Sequence, residues 1–276
     1  MHIESFGWVL PLAALLAAGL FSGFVAGMFG IGGGFIVVPA MLLILPLLGG
    51  QKPEYAHVAV GTSAATIIVA SLRSVSAHAK RGAVDFEILK SWAPWLIVGD
   101  AFGVILAGHV DGRGLLLIFA TGVLLMSINF LVPRLSDIVL SEHMPSGVAR
   151  VAIAGGLGTF SSLLGIGGGT IAITVMTWCS RTIHRAIATA SGIGTLIAVP
   201  TAIGFAIIGF NKTGLPWGSL GYINLPAVLA ISSMSIVTAP LGVAAAHGLP
   251  PTPLKRVFGA YLVLISAFMF KNALKL

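Results

Sequence analysis

The residues Gly30-Ile31-Gly32-Gly33-Gly34 recur as Gly165-Ile166-Gly167-Gly168-Gly169, each copy inside an almost purely apolar stretch. Clustered glycines let the backbone turn through positive φ and let a ligand come close to the amides. Where a helix starts just afterwards, its first N–H groups have no intrahelical acceptor and its dipole favours negative charge. Gly30, Gly32, Gly33, Gly34, Gly165, Gly167, Gly168 and Gly169 are therefore the first candidates for binding a small anion. The same glycines would also allow close helix contact with no ligand involved. Soluble phosphate loops do not fit, because Phe35 and Thr170 stand where a P-loop needs lysine and a dinucleotide loop needs its third glycine.

Four hydroxyl residues follow the glycine runs at a distance: Thr62 and Ser63, then Thr189 and Ser191. They offer O–H donors to an anion's oxygens, or they satisfy helix carbonyls. Asp100 is the only carboxylate deep in an expected span, which makes it a candidate for proton coupling or a structural partner of a base or helix end. Arg73, Arg181 and Arg185 sit at segment ends, where they attract an anion or simply anchor the topology by snorkelling. His57 and His184 occupy matching places, but with no Cys or carboxylate at ligand spacing they read as interfacial structural residues. His78, His109 and His247 lie near segment ends and form no visible constellation. The sequence calls for no metal and no cofactor. Phe29, Phe35 and Trp178 lie near the glycine runs as tail contacts or as core and lipid-facing residues, and they point to no substrate.

These residues can be positioned only by membrane helices. The chain is 57% hydrophobic and 8% charged, with mean hydropathy +1.04, and residues 5–51, 151–180, 186–211 and 213–254 hold no Asp, Glu, Lys or Arg. About 20 apolar residues make one helical crossing, and backbone polar groups in lipid must be satisfied internally. Alternating polarity, the mark of a membrane barrel, is missing. The first segment lacks a basic leader and is not expected to be a signal peptide. A net charge of +7 without a dense basic cluster points to topology rather than nucleic acid. The expected partners are membrane lipid and a small anionic substrate, with the oligomeric state left open.

The two halves match in three ordered blocks: 23–44 with 158–179, 57–70 with 184–197, and 82–131 with 221–270. Each half divides into five segments, at 8–29, 34–48, 56–78, 87–108 and 113–131, then 147–165, 169–180, 184–209, 224–247 and 252–272. The expected fold is an all-α polytopic membrane protein of about ten segments. It comprises a first repeat over 1–132, a connecting loop over 133–146 and a second repeat over 147–276. An odd number of segments per half turns the second repeat upside down, a common transporter construction. The segments after the glycine runs would reach only about 21 Å and 17 Å, too short for a ~30 Å core. Short or re-entrant helices are expected there. Ten of the fifteen Lys and Arg residues fall inside if both termini are outside, so N-out and C-out is the expected orientation.

Length, duplicated apolar halves and a G-I-G-G-G motif near the start of each half make the chain resemble the TauE/SafE family over essentially its whole length. The resemblance implies a non-enzymatic permease of the cytoplasmic membrane that moves sulfite or organosulfonates, such as sulfoacetate or aromatic sulfonates, in either direction. The competing readings are a ten-segment drug/metabolite-like transporter, an anion channel and, from another class, an intramembrane lipid-pyrophosphate phosphatase. The last would need clustered acids, yet Glu4, Glu54, Glu87 and Glu142 all lie outside spans or at their ends.

Overall fold

The computed structural model describes residues 8–132, 139–248 and 251–274, so Glu4 and residues 133–138 of the expected connecting loop fall outside the described residues. The chain is an all-α polytopic membrane protein. Its helices are α1 (Val9–Phe29), α2 (Gly34–Leu48), α3 (Tyr55–Ala79), α4 (Phe86–His109), α5 (Gly112–Leu131), α6 (Gly147–Leu164), α7 (Gly169–Trp178), α8 (Ile183–Ile208), α9 (Leu225–Gly248) and α10 (Pro251–Ala273). A two-residue hairpin, β1 (Ser219–Leu220) with β2 (Ile223–Asn224), leads into α9. Among the described residues, eight helices are long and apolar enough to cross a membrane, whereas α2 and α7 are not.

Helix ends follow from local chemistry. Gly30 and Gly165 close α1 and α6 in the left-handed conformation, with φ of 67° and 61°, which costs a side-chain-free residue little. Asp85 and Asp111 open α4 and α5. Each carboxylate accepts a first-turn N–H, from Ile88 at 3.2 Å and from Gly114 at 2.8 Å.

The helices pair in a fixed pattern: α1 packs along α9, α4 along α6, α3 along α8 and α5 along α10, while α3 also meets α9 and α4 meets α8. Exchanging α1–α5 for α6–α10 turns this set of contacts into itself. Lipid supplies no hydrophobic drive between helices, so close backbone approach and interhelical hydrogen bonds must hold the bundle. Gly19, Gly23 and Gly27 line the α1 face that touches Ile231, Ser235 and Ala239 of α9, and Gly99 and Gly103 meet Gly155 and Thr159 of α6. Ser235 and Thr159 hydroxyls donate across these seams to the carbonyls of Gly19 (3.0 Å) and Gly99 (2.8 Å). Large apolar side chains on the outer faces, such as Val98, Leu229 and Leu264, are exposed, as a lipid-facing surface requires.

Candidate functional site: the crossing of the two glycine loops

The two glycine runs, 131 residues of chain apart at their nearest, meet each other in the interior. Gly30, Gly32 and Gly33 have φ of 67°, 76° and 81°, and Gly165, Gly167 and Gly168 have φ of 61°, 72° and 70°. This left-handed sequence reverses the chain and delivers the first residues of α2 and α7, buried Gly34 and Gly169, to the centre. The contact is reciprocal. A methyl group on Gly34 would lie 2.3 Å from the carbonyl oxygen of Gly165, and one on Gly169 would lie 2.3 Å from that of Gly30. Ile67 covers both loop tips, its Cγ2 lying 2.9 Å from a methyl built on Gly32 and 3.1 Å from one on Gly167. Ile31, Phe35 and Ile166 are fully buried around them. Close approach and an inward-turned helix start, two alternatives in the sequence, occur together in the same residues.

The hydroxyl candidates surround this crossing with their partners already defined. Ser63 donates to the Gly165 carbonyl at 2.8 Å. Ser191 pairs with the Ser74 hydroxyl at 2.9 Å and donates to Ile187 O at 3.1 Å. Thr62 accepts the Asn224 N–H at 3.0 Å, and Thr189 accepts the Asp85 N–H at 2.9 Å. Asn224 and Asp85 each cap the first turn of their helix, α9 and α4, through Ala227 and Ile88. Thr62 and Thr189 thus pin two helix starts to α3 and α8. Thr62→Val or Thr189→Val leaves a buried N–H unpaired and should destabilise the folded chain by about 1–3 kcal/mol, measured as a lower unfolding transition in detergent.

Three hydroxyls near the second loop are buried and without a partner: Ser161 beside Gly168, Ser71 beside Gly194, and Thr170 in the first turn of α7. The positions aligned with Ser161 and Thr170 in the first half carry Ala26 and Phe35. A cavity of about 20 Å³, the size of a single water, adjoins Phe29, Asn129 and Thr170. A larger one of about 260 Å³ lies between α5, α6 and α7, with Asn129, Thr170 and Thr174 on its wall.

Asp100 is fully buried on α4. Its Oδ1 accepts a hydrogen bond from Thr201 of α8, and its Oδ2 has no partner. The Thr201 hydroxyl also lies 2.9 Å from Ile197 O. Arg73 and Arg185 are exposed, while Arg181 is half-buried. None of the three is among the nearest neighbours of the loop glycines.

Sequence reasoning missed the histidine clusters at the two ends of the bundle. His184 stacks on His247 at 5.1 Å, and His247 lies 5.6 Å from His78, whose Nε2 donates to Gly27 O at 3.3 Å. Arg81 beside them donates to Val243 O at 3.3 Å. At the other end His57 stacks on Tyr222 at 4.9 Å, and the Tyr222 hydroxyl donates to Glu54 at 2.6 Å. Burial and the neighbouring Glu54 carboxylate push the Tyr222 phenol above its usual range. The matched positions of His57 and His184 were the available signal, but their partners come from different helices. Among the described residues, no group of three or more His, Cys, Asp or Glu is placed to hold a metal ion.

A bundle of long apolar helices, interrupted by two short ones that start at a central glycine crossing, defines an integral membrane protein of the transporter class. The chain matches the family described as sulfite exporter TauE/SafE over residues 15–269, and it belongs to that family. A probable membrane transporter protein of Haemophilus influenzae is 31% identical over 257 residues, covering 92% of this chain and 96% of the relative. Probable membrane transporter proteins of Methanocaldococcus jannaschii and Xylella fastidiosa are 25% and 27% identical. They cover 96% and 95% of this chain and 97% and 95% of their own lengths. No solved structure matches the chain.

Proposed function

We propose that this chain carries sulfite or an organosulfonate across the bacterial cytoplasmic membrane by alternating access of two inverted halves, residues 1–132 and 147–276, joined by 133–146. The observation that carries the reading is the glycine crossing. Two short helices start there, face to face, so backbone N–H groups and two helix dipoles converge where water is excluded. An anion's several oxygens take hydrogen bonds from these amides and from the hydroxyls of Thr62, Ser63, Thr189 and Ser191 in place of hydration, and Ser63 holds the second loop through the Gly165 carbonyl. Family membership supports sulfur oxyanions as cargo, and the relatives' names support transport. The exchange symmetry of the helix contacts supports two halves that rock against each other around a fixed centre.

In this reading both termini face outward. Arg73, Arg181 and Arg185 then line the inner face, where they raise the local anion concentration. Asp100 couples a proton to the movement. Its geometry suits that role because Thr201 serves either protonation state. Thr201 donates to the carboxylate when no proton is bound, and it accepts from the carboxylic acid while donating to Ile197 O when one is.

Counterflow in proteoliposomes tests the transport reading. Labelled 4-toluenesulfonate or sulfite should exchange saturably against unlabelled sulfur anions and not against phosphate. Flux that fails to saturate and follows only the membrane potential would make the chain a channel. Exchange of other solutes with no response to sulfur anions would remove the substrate assignment.

A further inference from the structure

We propose that the inner end of the seam between α3 and α8 is a proton-operated gate, latched by His78, His184 and His247 beside Arg81 and parted when these imidazoles take up protons. The inference rests on the orientation and the transport reading above and adds to them a control by the pH at the inner face. The seam joins one helix from each half. Its inner end gathers the last turn of α3, the first turn of α8 and the last turn of α9, which contribute His78, His184 and His247. The ring centres lie 5.1 Å apart for His184 and His247 and 5.6 Å apart for His78 and His247. His184, His247 and Arg81 are exposed, while His78 is buried.

From this cluster a line of small polar side chains reaches the glycine crossing. Ser74 of α3 pairs with Ser191 of α8 at 2.9 Å, a hydroxyl pair that bridges the two halves. Ser191 also donates to Ile187 O, and that oxygen lies 2.3 Å from a methyl built on Gly30. Ser71, about one turn further along α3, lies beside Gly194, and Gly194 lies beside Gly167 of the second loop. The seam therefore touches both loops, and parting it opens a hydroxyl-lined path from the crossing to the inner face. Beyond the crossing the seam changes character. Ala64 stands at the position aligned with Ser191, inside an apolar cluster with Ala202 and Ile223.

Electrostatics set the direction of the response. The charged and titratable groups acting on His78 are His247, Arg81 and His184, and those acting on His247 are Arg81 and His184, with no carboxylate among them. Protons added here place like charges side by side, where low local dielectric makes their repulsion strong. Separating the helix ends relieves that repulsion and hydrates each imidazolium, so acid favours the open seam and neutral rings favour the closed one. The outer end is built differently. His57 is aligned with His184, but Gly108 stands in place of His247 and, in the same helical register, Phe205 in place of His78. A charge on His57 meets the Glu54 carboxylate, which acts on it more strongly than Lys212 does.

The test reads the seam and the exchange separately. Spin labels on Ser76→Cys and Thr182→Cys, exposed positions at the inner ends of α3 and α8, are placed in a Cys179→Ala background, and pulsed electron resonance measures the spacing between them. Taking the pH on both faces from about 8 to about 5.5, across the ordinary imidazole range, should widen the spacing by several ångströms. Counterflow of 4-toluenesulfonate, whose charge is fixed over this range, should speed up roughly fivefold, the lower end of ordinary coupling. His184→Asn with His247→Asn, both at exposed positions, should lose most of the widening and of the acceleration, and adding His78→Phe should lose the rest. Constant spacing in the parent, or widening retained without the imidazoles, would overturn the gate. Widening with exchange that ignores pH would overturn it too, because the ends would then part without opening a path. Imidazole-dependent widening with no exchange of any sulfur anion would keep the gate and remove the transport reading.

Discussion

Gly34→Ala and Gly169→Ala should each destabilise the folded chain by about 3 kcal/mol, the upper end of the usual overpacking cost. A loss of that size lowers the melting temperature by roughly 6–12 °C in a chain this long. The reason is that a single methyl has nowhere to go. It would lie 2.3 Å from a backbone carbonyl oxygen of the opposite loop, and backbone cannot rotate away as a flexible side chain can. Each loop is also held by its own left-handed residues, so relief must come from separating the loops, which strips their neighbours Phe35 and Ile67 of contact. By contrast, Gly156→Ala on α6, with nothing within 4 Å of the added methyl, should be neutral or slightly stabilising because alanine favours helix. Equal melting temperatures for G34A and wild type would mean that the two loops do not touch as described.

Asp100→Asn should leave folding and counterflow exchange near wild type and abolish accumulation driven by an imposed pH gradient, down to the level of protein-free liposomes. The asparagine amide can donate to Thr201 as a carboxylic acid does, so the substitution mimics the proton-bound state and locks it. Exchange at equilibrium needs no proton cycle, whereas uphill movement does. Accumulation retained in D100N would make Asp100 a structural partner of Thr201 and place coupling elsewhere. Loss of both exchange and melting temperature would also assign Asp100 a structural role, since removing one member of a buried pair strands the other. Thr201→Val separates the two roles, because it removes the hydroxyl partner while leaving the titratable carboxyl.

Helices were legible wherever the sequence contained a long apolar run, because lipid leaves the backbone no other way to satisfy its polar groups. The start of α2 at Gly34, the start of α7 at Gly169 and the shortness of both could be read from the glycine runs and the residues that follow them. The hydroxyl pairs were harder. Thr62 and Thr189 were visible as repeat-matched polar residues, but their acceptor role toward Asn224 and Asp85 depends on which loop folds back onto α3 and α8. The cluster of His78, His184 and His247 was invisible for the same reason. It joins the end of α3, the start of α8 and the end of α9, and no local pattern encodes which helix ends become neighbours.

Composition and periodicity by themselves determined that this is a helical membrane protein, where its segments begin and end, and that a glycine turn precedes two short helices in corresponding places. Those are consequences of local chain chemistry and of the solvent, and each can be read within a few turns of helix. Only the tertiary structure decided that the two turns press against each other, and that the Thr170 hydroxyl is buried without a hydrogen-bond partner where the other half has a buried Phe35. It also decided that Asp100 finds Thr201 across an interface. These are contacts between residues far apart in the chain, set by how ten helices share one interior, and the identical five-residue glycine motifs leave the difference between the two loops to the side chains around them.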